Sequence, residues 1–515
     1  MPGGGLFSLV AYGGQNVLLN DNPSMTYFYK VFRKYSHFSE ESVTATFDGP
    51  NELSWDQNVQ IRLKIQRVAD LVRDMYFTFR IPDIYSKYIS STIRDSQYNF
   101  AWIRYLGCRI IQNCAFFVGG TKVQEFDGDY IYVKAKADMD TDTFSKWSTL
   151  VGDISELTNP ALGIYGGGSE VVGYPTVYPD TSSSQQINRP SIFGQDITVP
   201  LPFWFGDSAT QSLPLVSLQQ HDCEIQITLR SIRELYTIFD PSGNRVNPEY
   251  KQVASMEQVQ VNLPEYVISN EDSAQIRNFL TDISATVPSL NAWFYNPRLQ
   301  ATYIYLTENE RNTFATQPLQ YIVYQVTPYR FPAVYKRDLL DMETHNPITR
   351  LLIVPRRTDS IPYRNDWTNL TNWYSSRAPY LPTPIINPAD SFIWSSGRLI
   401  TQSQQDIVRT LKIYGDGNEL QEDKPASYFR SIVPWKYTSG DCSKSGLLVY
   451  PFALTSPNIQ PSGSINASRI KNFQVDFNPW PLPNNTNYVY DVTIYVESIN
   501  WFTVSSGMGG LKYAL

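Results

Sequence analysis

Tyr450-Pro-Phe-Ala-Leu454, followed by Gln460-Pro-Ser-Gly-Ser-Ile-Asn-Ala-Ser-Arg-Ile470, decides the fold. It reads as an apolar strand, a polar turn and a second strand. A similar apolar-aromatic run stands much earlier, at Leu201-Pro-Phe-Trp-Phe205. Each run leads on to a final alternating strand, Glu224–Leu229 in the first case and Asn472–Phe477 in the second. Each is also preceded by a hairpin. Phe117-Val-Gly-Gly-Thr-Lys-Val123 turns at its Gly pair, and Ile413-Tyr-Gly-Asp-Gly-Asn-Glu-Leu420 turns at Asp-Gly. Three marks in the same order predict an internal duplication.

The spacing of the marks locates an insertion. Gly120 to Gly417 spans 297 residues and Pro202 to Pro451 spans 249. The first copy therefore carries about 48 extra residues between these marks. They fall in Asp138–Thr198, which is rich in Gly, Ser, Thr, Asp and Pro and reads as a long surface loop.

Outward from these marks the strand signal dominates. Val59-Gln-Ile-Arg-Leu-Lys-Ile-Gln66 alternates without a break, which buries Val59, Ile61, Leu63 and Ile65 on one face. Cys223–Arg230, Gln258–Asn262 and Val492–Glu497 repeat the pattern. Helical periodicity is confined to Thr307–Ala315, where Thr307 and Glu310 have capping-box spacing, and Asn270–Leu280. With 34 Pro, 28 Gly and 35 Tyr in 515 residues, the composition suits many short strands and long loops. Two eight-stranded Greek-key sandwiches in tandem are the simplest architecture.

Composition also excludes functions. A net charge of −7 opposes direct binding to nucleic-acid phosphates. The basic pair in Pro355-Arg-Arg357 reads as a solvated turn. Cys108, Cys114, Cys223 and Cys442 form no C-x-x-C, which removes the usual zinc pattern. In one extended strand, Cys108 and Cys114 would lie about 20 Å apart, too far for a disulfide. Buried free thiols are the expectation. No signal peptide opens the sequence and no run of about 18 apolar residues occurs.

Chemistry-bearing patterns are equally sparse. His37, His221 and His345 are scattered. Asp138-Met-Asp-Thr-Asp142 begins like a calcium loop, but Thr143 and Thr149 occupy the positions of its Gly and bidentate Glu. No nucleophile elbow or phosphate loop is present. Asp127 and Asp129 have the chemistry of a glycosidase pair, which with 49 acidic residues is expected by accident. Sequons stand at Asn369, Asn466 and Asn484, with Asn369 and Asn484 in loops expected to be exposed. No catalytic, cofactor or metal residues are assigned.

The quoted C-terminal stretch resembles the signature of the major capsid proteins of nucleocytoplasmic large DNA viruses. So do Gly4-Gly-Leu-Phe-Ser-Leu-Val-Ala-Tyr-Gly-Gly-Gln15, Asn22-Pro-Ser-Met-Thr-Tyr-Phe28, Pro200–Phe205 and Leu213-Pro-Leu-Val-Ser-Leu218, in the family's order. The resemblance implies an all-β double jelly roll with few short helices. It implies an N-terminal arm (1–24), a first jelly roll (25–314) with long inserts at about 138–198 and 241–296, and a second jelly roll (315–515). A strand at Ala301–Leu306 would close the first, and the charged Thr307–Arg311 would link the two.

Functionally it implies a non-enzymatic major capsid protein. Homotrimers form pseudo-hexagonal capsomers that tile an icosahedral shell, assembled in the host cytoplasm. Partners would be neighbouring capsomers, minor capsid proteins and penton proteins, over an internal viral membrane that the chain itself does not cross. Tryptophans Trp367, Trp373, Trp394, Trp435, Trp480 and Trp501 would supply the trimer contact or the core. The 138–198 insert would face outward, and the arm Met1–Asn22 would order on a partner beneath the trimer. The alternatives are a minor capsid or scaffold protein of the same fold, and a carbohydrate-binding or carbohydrate-active jelly roll.

Overall fold

The computed structural model describes residues 3–30, 32–85, 99–158, 160, 190–239, 245–253, 265–268, 274–281, 286–372, 406–455, 459–482 and 488–513. Two sets of eight strands organise it. The first comprises β1 (Phe38–Thr46), β2 (Val59–Lys64), β3 (Leu71–Arg80), β4 (Ile111–Val118), β5 (Thr121–Phe126), β6 (Asp196–Leu201), β7 (Cys223–Leu229) and β8 (Arg298–Leu306). The second comprises β9 (Leu319–Val334), β10 (Asp338–Met342), β11 (Pro347–Arg357), β12 (Val408–Gly415), β13 (Asn418–Pro425), β14 (Leu448–Pro451), β15 (Phe473–Pro479) and β16 (Tyr490–Ser505).

Sheet order repeats strand for strand. The first lobe has sheets β1-β8-β3-β6 and β2-β7-β4-β5. The second has β9-β16-β11-β14 and β10-β15-β12-β13, which is the same order with eight added to every number. All these pairs are antiparallel. Two small additions repeat as well: Leu213–Pro214 pairs with β3, and Ile465–Asn466 pairs with β11. The three sequence marks fall at equivalent places: the β4–β5 and β12–β13 hairpins, the ends of strands β6 and β14, and strands β7 and β15. The apolar-aromatic runs expected as strands, however, lie mostly past the last strand residues, Leu201 and Pro451, with Trp204–Gly206 a 3-10 turn. Both hairpins turn through two positive-φ residues, Gly119-Gly120 and Asp416-Gly417, as a tight antiparallel turn requires.

Alternation explains β2 and β7, whose inward residues Val59, Ile61, Leu63, Ile225, Ile227 and Leu229 are buried in the first lobe. It does not describe β16. From Ile494 to Asn500 every residue is buried. Val492, Ile494 and Val496 enter the second lobe's core, whereas Tyr495, Phe502 and Val504 enter a core shared with the first lobe. β11 behaves alike, with Leu351 and Ile353 on one side and Leu352 and Val354 on the other. The sheet β9-β16-β11-β14 is therefore a wall between two cores, and a strand covered on both faces loses its polar alternation.

Several expectations are corrected. Cys108 does not share a strand with Cys114. It lies in helix α3 (Leu106–Ile110), which precedes β4. All four thiols are buried and free. Residues 141–150 and 155–158 of the expected loop are helices that bury Trp147 and Leu157, and α4 (Gly128–Asp138) runs into them. Residues 161–189 of that segment lie outside the described residues, as do Gln258–Asn262 and Asn270–Ser273. Ile276–Phe279 forms a 3-10 turn rather than the α-helix expected over Asn270–Leu280. The helix Glu308–Thr316 forms after Thr307, but the Thr307 side chain makes no capping bond. Arg311 instead pairs with Asp70 on the first lobe. The arm is not featureless: α1 (Gly4–Val10) and α2 (Gly14–Asn20) are short helices that bury nothing.

Gly128 marks the closest approach within the first lobe. A Cβ there would lie 1.9 Å from the Cys108 carbonyl oxygen and 2.5 Å from that of Ile111. Both are backbone atoms, so α4 would have to shift. Gly128→Ala is expected to lower the thermal midpoint more than Gly120→Ala. Gly120 has open space around it, and its variant suffers only the left-handed strain of about 1–2 kcal/mol. Equal midpoints for the two variants would contradict this packing.

Candidate assembly faces and the seam between the lobes

Helix α4 lies in the seam. Asp127 caps it, accepting from the Tyr130 backbone N–H at 2.7 Å. Asp129, Tyr130 and Asp138 of the helix meet the outer face of the wall sheet. Even-numbered residues of β11 point that way, which brings Arg350 and Arg356 to the helix. Arg350 is wholly buried. Its guanidinium meets Glu497 of β16 through Nε at 2.5 Å and Nη2 at 2.8 Å, and meets Asp138 through both terminal nitrogens. Tyr130 donates its hydroxyl to the same Glu497 at 2.7 Å, and Lys134 lies 3.4 Å from Asp138.

A second ionic group sits at the other end of α4. Asp129 pairs with Arg356 at 3.0 Å and with Arg109 at 3.3 Å. Arg109 also meets Glu234 at 2.9 Å. Asp127 accepts from Arg330 of the second lobe at 3.0 Å and from the Tyr495 hydroxyl at 3.0 Å. Burial opposes charge on both Asp129 and Asp138. The arginines around Asp129, and Arg350 with Lys134 around Asp138, outweigh it and hold both carboxyls below the usual range. Burial, then the neighbouring charge of Asp129, pushes Asp127 upward. Burial and the charge of Arg230 bring Arg109 down to about 10.

Neutral contacts complete the seam. Gln325 donates to the Val123 carbonyl at 2.8 Å, and Gln124 donates to that of Tyr324 at 3.0 Å. Trp204 packs on Phe502, and Tyr132 packs on Trp367, whose indole donates to the Arg104 carbonyl at 2.8 Å. The Arg-Arg pair expected to be a solvated turn is thus within β11. Arg356 binds Asp129, and Arg357 is buried against Asp359 and Tyr488. Asp127 and Asp129 are brought together as the sequence allowed, but as partners of arginines and of a helix end. Asp138 faces Arg350 rather than a calcium loop.

The other sequence-derived residues scatter. His221 bonds the Gly509 backbone, whereas His37 and His345 are exposed. Among the described residues no three His, Cys, Asp or Glu side chains gather as metal ligands, and no helix is long and apolar enough to cross a membrane. Asn369 is buried, contrary to expectation. Its side chain accepts from the Thr371 N–H and hydroxyl in a local turn. Asn466 likewise caps its own turn through the Ser468 N–H. Asn484, Trp373 and Trp394 lie outside the described residues. Trp367 is core, whereas Trp435 is 84% exposed beside Ile432. The largest exposed apolar series is the arm, with Leu6, Phe7, Leu9, Val10, Leu18, Leu19, Tyr27 and Phe28 in solvent. Such a series marks an interaction surface.

Comparison with known proteins agrees across the chain. Residues 26–268 match the family model described as major capsid protein N-terminus. Residues 249–510, just over half of the chain, match the model described as large eukaryotic DNA virus major capsid protein. A major capsid protein of Phaeocystis pouchetii virus is 23% identical, with 99% of each chain covered. The Faustovirus major capsid protein superposes with a TM-score of 0.60 at 14% identity, covering 97% of this chain and 96% of that one. The PBCV-1 VP54 crystal structure, fitted into a reconstruction of the virophage Sputnik, gives 0.64 at 18% identity, covering 95% and 100%. These structures share the double jelly-roll fold.

Replacing Arg350 by Met is expected to lower stability by about 3–5 kcal/mol, because Glu497 remains buried without its cation and Asp138 keeps only Lys134. A shift in the urea midpoint measures it, and a neutral outcome would contradict the geometry. The acid limb has a defined sign. Asp129 and Asp138 have folded-state values below their unfolded ones. Their contribution is present above about pH 4 and is lost as pH falls further. Asp127, shifted upward, offsets part of this loss. Asp138→Asn should therefore show a smaller fall in urea midpoint between pH 5 and pH 3 than the parent protein.

Proposed function

This chain belongs to the large eukaryotic DNA virus major capsid protein family, and from that premise we propose how it builds a shell. Its role is structural and its place is the virion. The observation that carries the finer reading is the strand-for-strand repetition of β1–β8 in β9–β16. Three chains with two alike lobes each present six alike lobes around one axis. Such a pseudo-hexagonal block packs on a flat lattice with a single gene product, and closed symmetry fixes the contact made three times. The chain divides into an arm (1–24), a first jelly roll (25–314) and a second (315–515), joined through the helix Glu308–Thr316. Assembly takes place in the host cytoplasm, against neighbouring capsomers, minor capsid proteins and penton proteins.

The wall sheet supports this reading physically. A tile must keep its six lobes in fixed orientation while edge contacts propagate. Two lobes sharing a core and a buried ionic seam move as one body, so the orientation is set within each chain before assembly. A trimer contact should bury well above about 2,000 Å² with an apolar centre. Trp435 with Ile432 offers one exposed apolar patch, and the arm offers another.

Light scattering on the purified chain is expected to give about three times 58.9 kDa. A well-folded monomer at high concentration would sink the proposal. Deleting Met1–Asn22 should leave the trimer intact while impairing growth into shells, because the arm's helices bury nothing on their own lobe. Loss of the trimer itself would place the arm within the fold instead.

A further inference from the structure

A cavity of about 420 Å³ opens beside the seam where the lobes meet. Two arginines of the first lobe line it, Arg109 and Arg230, and two of the second, Arg330 and Arg356. Gln112 and Thr493 add neutral polar groups, and Phe331 with Pro332 forms an apolar side. Asp127, Asp129 and Asp491 line it too. Asp491 is exposed and already accepts from the Ala333 backbone N–H at 3.0 Å.

The donors outnumber the acceptors. A guanidinium carries five N–H groups. Among the described residues, the carboxylates here take five hydrogen bonds from all four arginines: Arg109 to Asp129 and to Glu234, Arg230 to Glu234, Arg330 to Asp127, and Arg356 to Asp129. Arg230 also lies 3.9 Å from Asp129, which is an ion pair without a hydrogen bond. The Nε atoms of Arg230 and Arg356 are buried and bonded to nothing. These two lie beneath the surface and out of a ligand's reach; the donors open to a ligand oxygen are the terminal N–H groups of the lining guanidiniums that the carboxylates leave unused. Arg109, at the cavity wall, is 4% exposed, and burial together with the neighbouring arginine charges already disfavours its proton. An anion entering here reduces that repulsion.

We propose that this cavity is a binding site for a compact phosphate-bearing anion, held jointly by Arg109 and Arg230 of one lobe and Arg330 and Arg356 of the other. Planar guanidinium forks suit tetrahedral oxyanions because they offer two parallel N–H groups. A half-open cavity of this size takes a diphosphate more readily than a peptide, whose backbone would bring N–H donors into a donor-rich site. Contacts to both lobes make the anion a tie across the seam.

The test uses the full chain in the oligomeric state in which it is purified. Inorganic diphosphate is titrated calorimetrically at constant ionic strength set with chloride. Saturable binding of one diphosphate per chain is expected, with a thermal midpoint that rises with diphosphate concentration. Gln112→Glu retains the acceptor that Asn58 donates to at 2.8 Å and adds a negative charge to the cavity. It should weaken binding at least about tenfold without lowering the ligand-free midpoint. Arg330→Gln, at the exposed rim, should weaken binding without unfolding the chain. Absence of saturable binding would overturn the proposal. So would binding unchanged in both variants, or a midpoint shift that chloride reproduces.

Discussion

One sheet carries two cores. The strands β9, β16, β11 and β14 present one face to the second lobe and the other to the first, and the remaining structure is arranged around that double burial. A sheet covered on both sides must be apolar on both sides or must satisfy every polar group it keeps. β11 and β16 do both. Leu352, Val354 and Phe502 supply apolar cover, and Arg350 with Glu497 forms an ionic pair completed by Asp138 and Tyr130 from α4. A buried ion pair adds little net stability over an apolar replacement, but it accepts only one geometry. Here it ties α4 of the first lobe to β11 and β16 of the second.

That constraint links the seam to the role in the virion. A shell tile tolerates variation in outer loops, whereas a change in the angle between lobes alters every contact around it. Apolar packing alone permits small slips between lobes. Charged groups at both ends of α4, with Arg350 at one end and Arg356 at the other, penalise them. The arm and Trp435, which expose apolar groups, lie elsewhere. The surfaces that hold one chain together are thus separate from those left free for other chains.

Much of the fold was legible in the sequence because its signals are local. Period-two alternation in Val59–Lys64, positive-φ turn residues at Gly119-Gly120 and Asp416-Gly417, and their repetition gave both hairpins and the duplication. The seam was not legible, because its residues are polar and distant in sequence. Asp138 and Arg350 are separated by 212 positions, and Tyr130 and Glu497 by 367. Arg356 and Arg357 read as surface because arginine is seldom buried without a partner, and the partners could not be seen. Trp147 and Leu157 were hidden in a segment whose average composition is that of a loop. The reading of Asn369 failed similarly, since a buried Asn that satisfies itself through Thr371 looks like an exposed one in sequence.

Electron-microscope projection averages of the purified chain test the central claim most directly, because they show lobes rather than mass. The account predicts a hexagonal outline with threefold symmetry and six densities of similar size. Particles with two lobes, or trimers whose paired lobes vary in relative angle from one particle to the next, would contradict it.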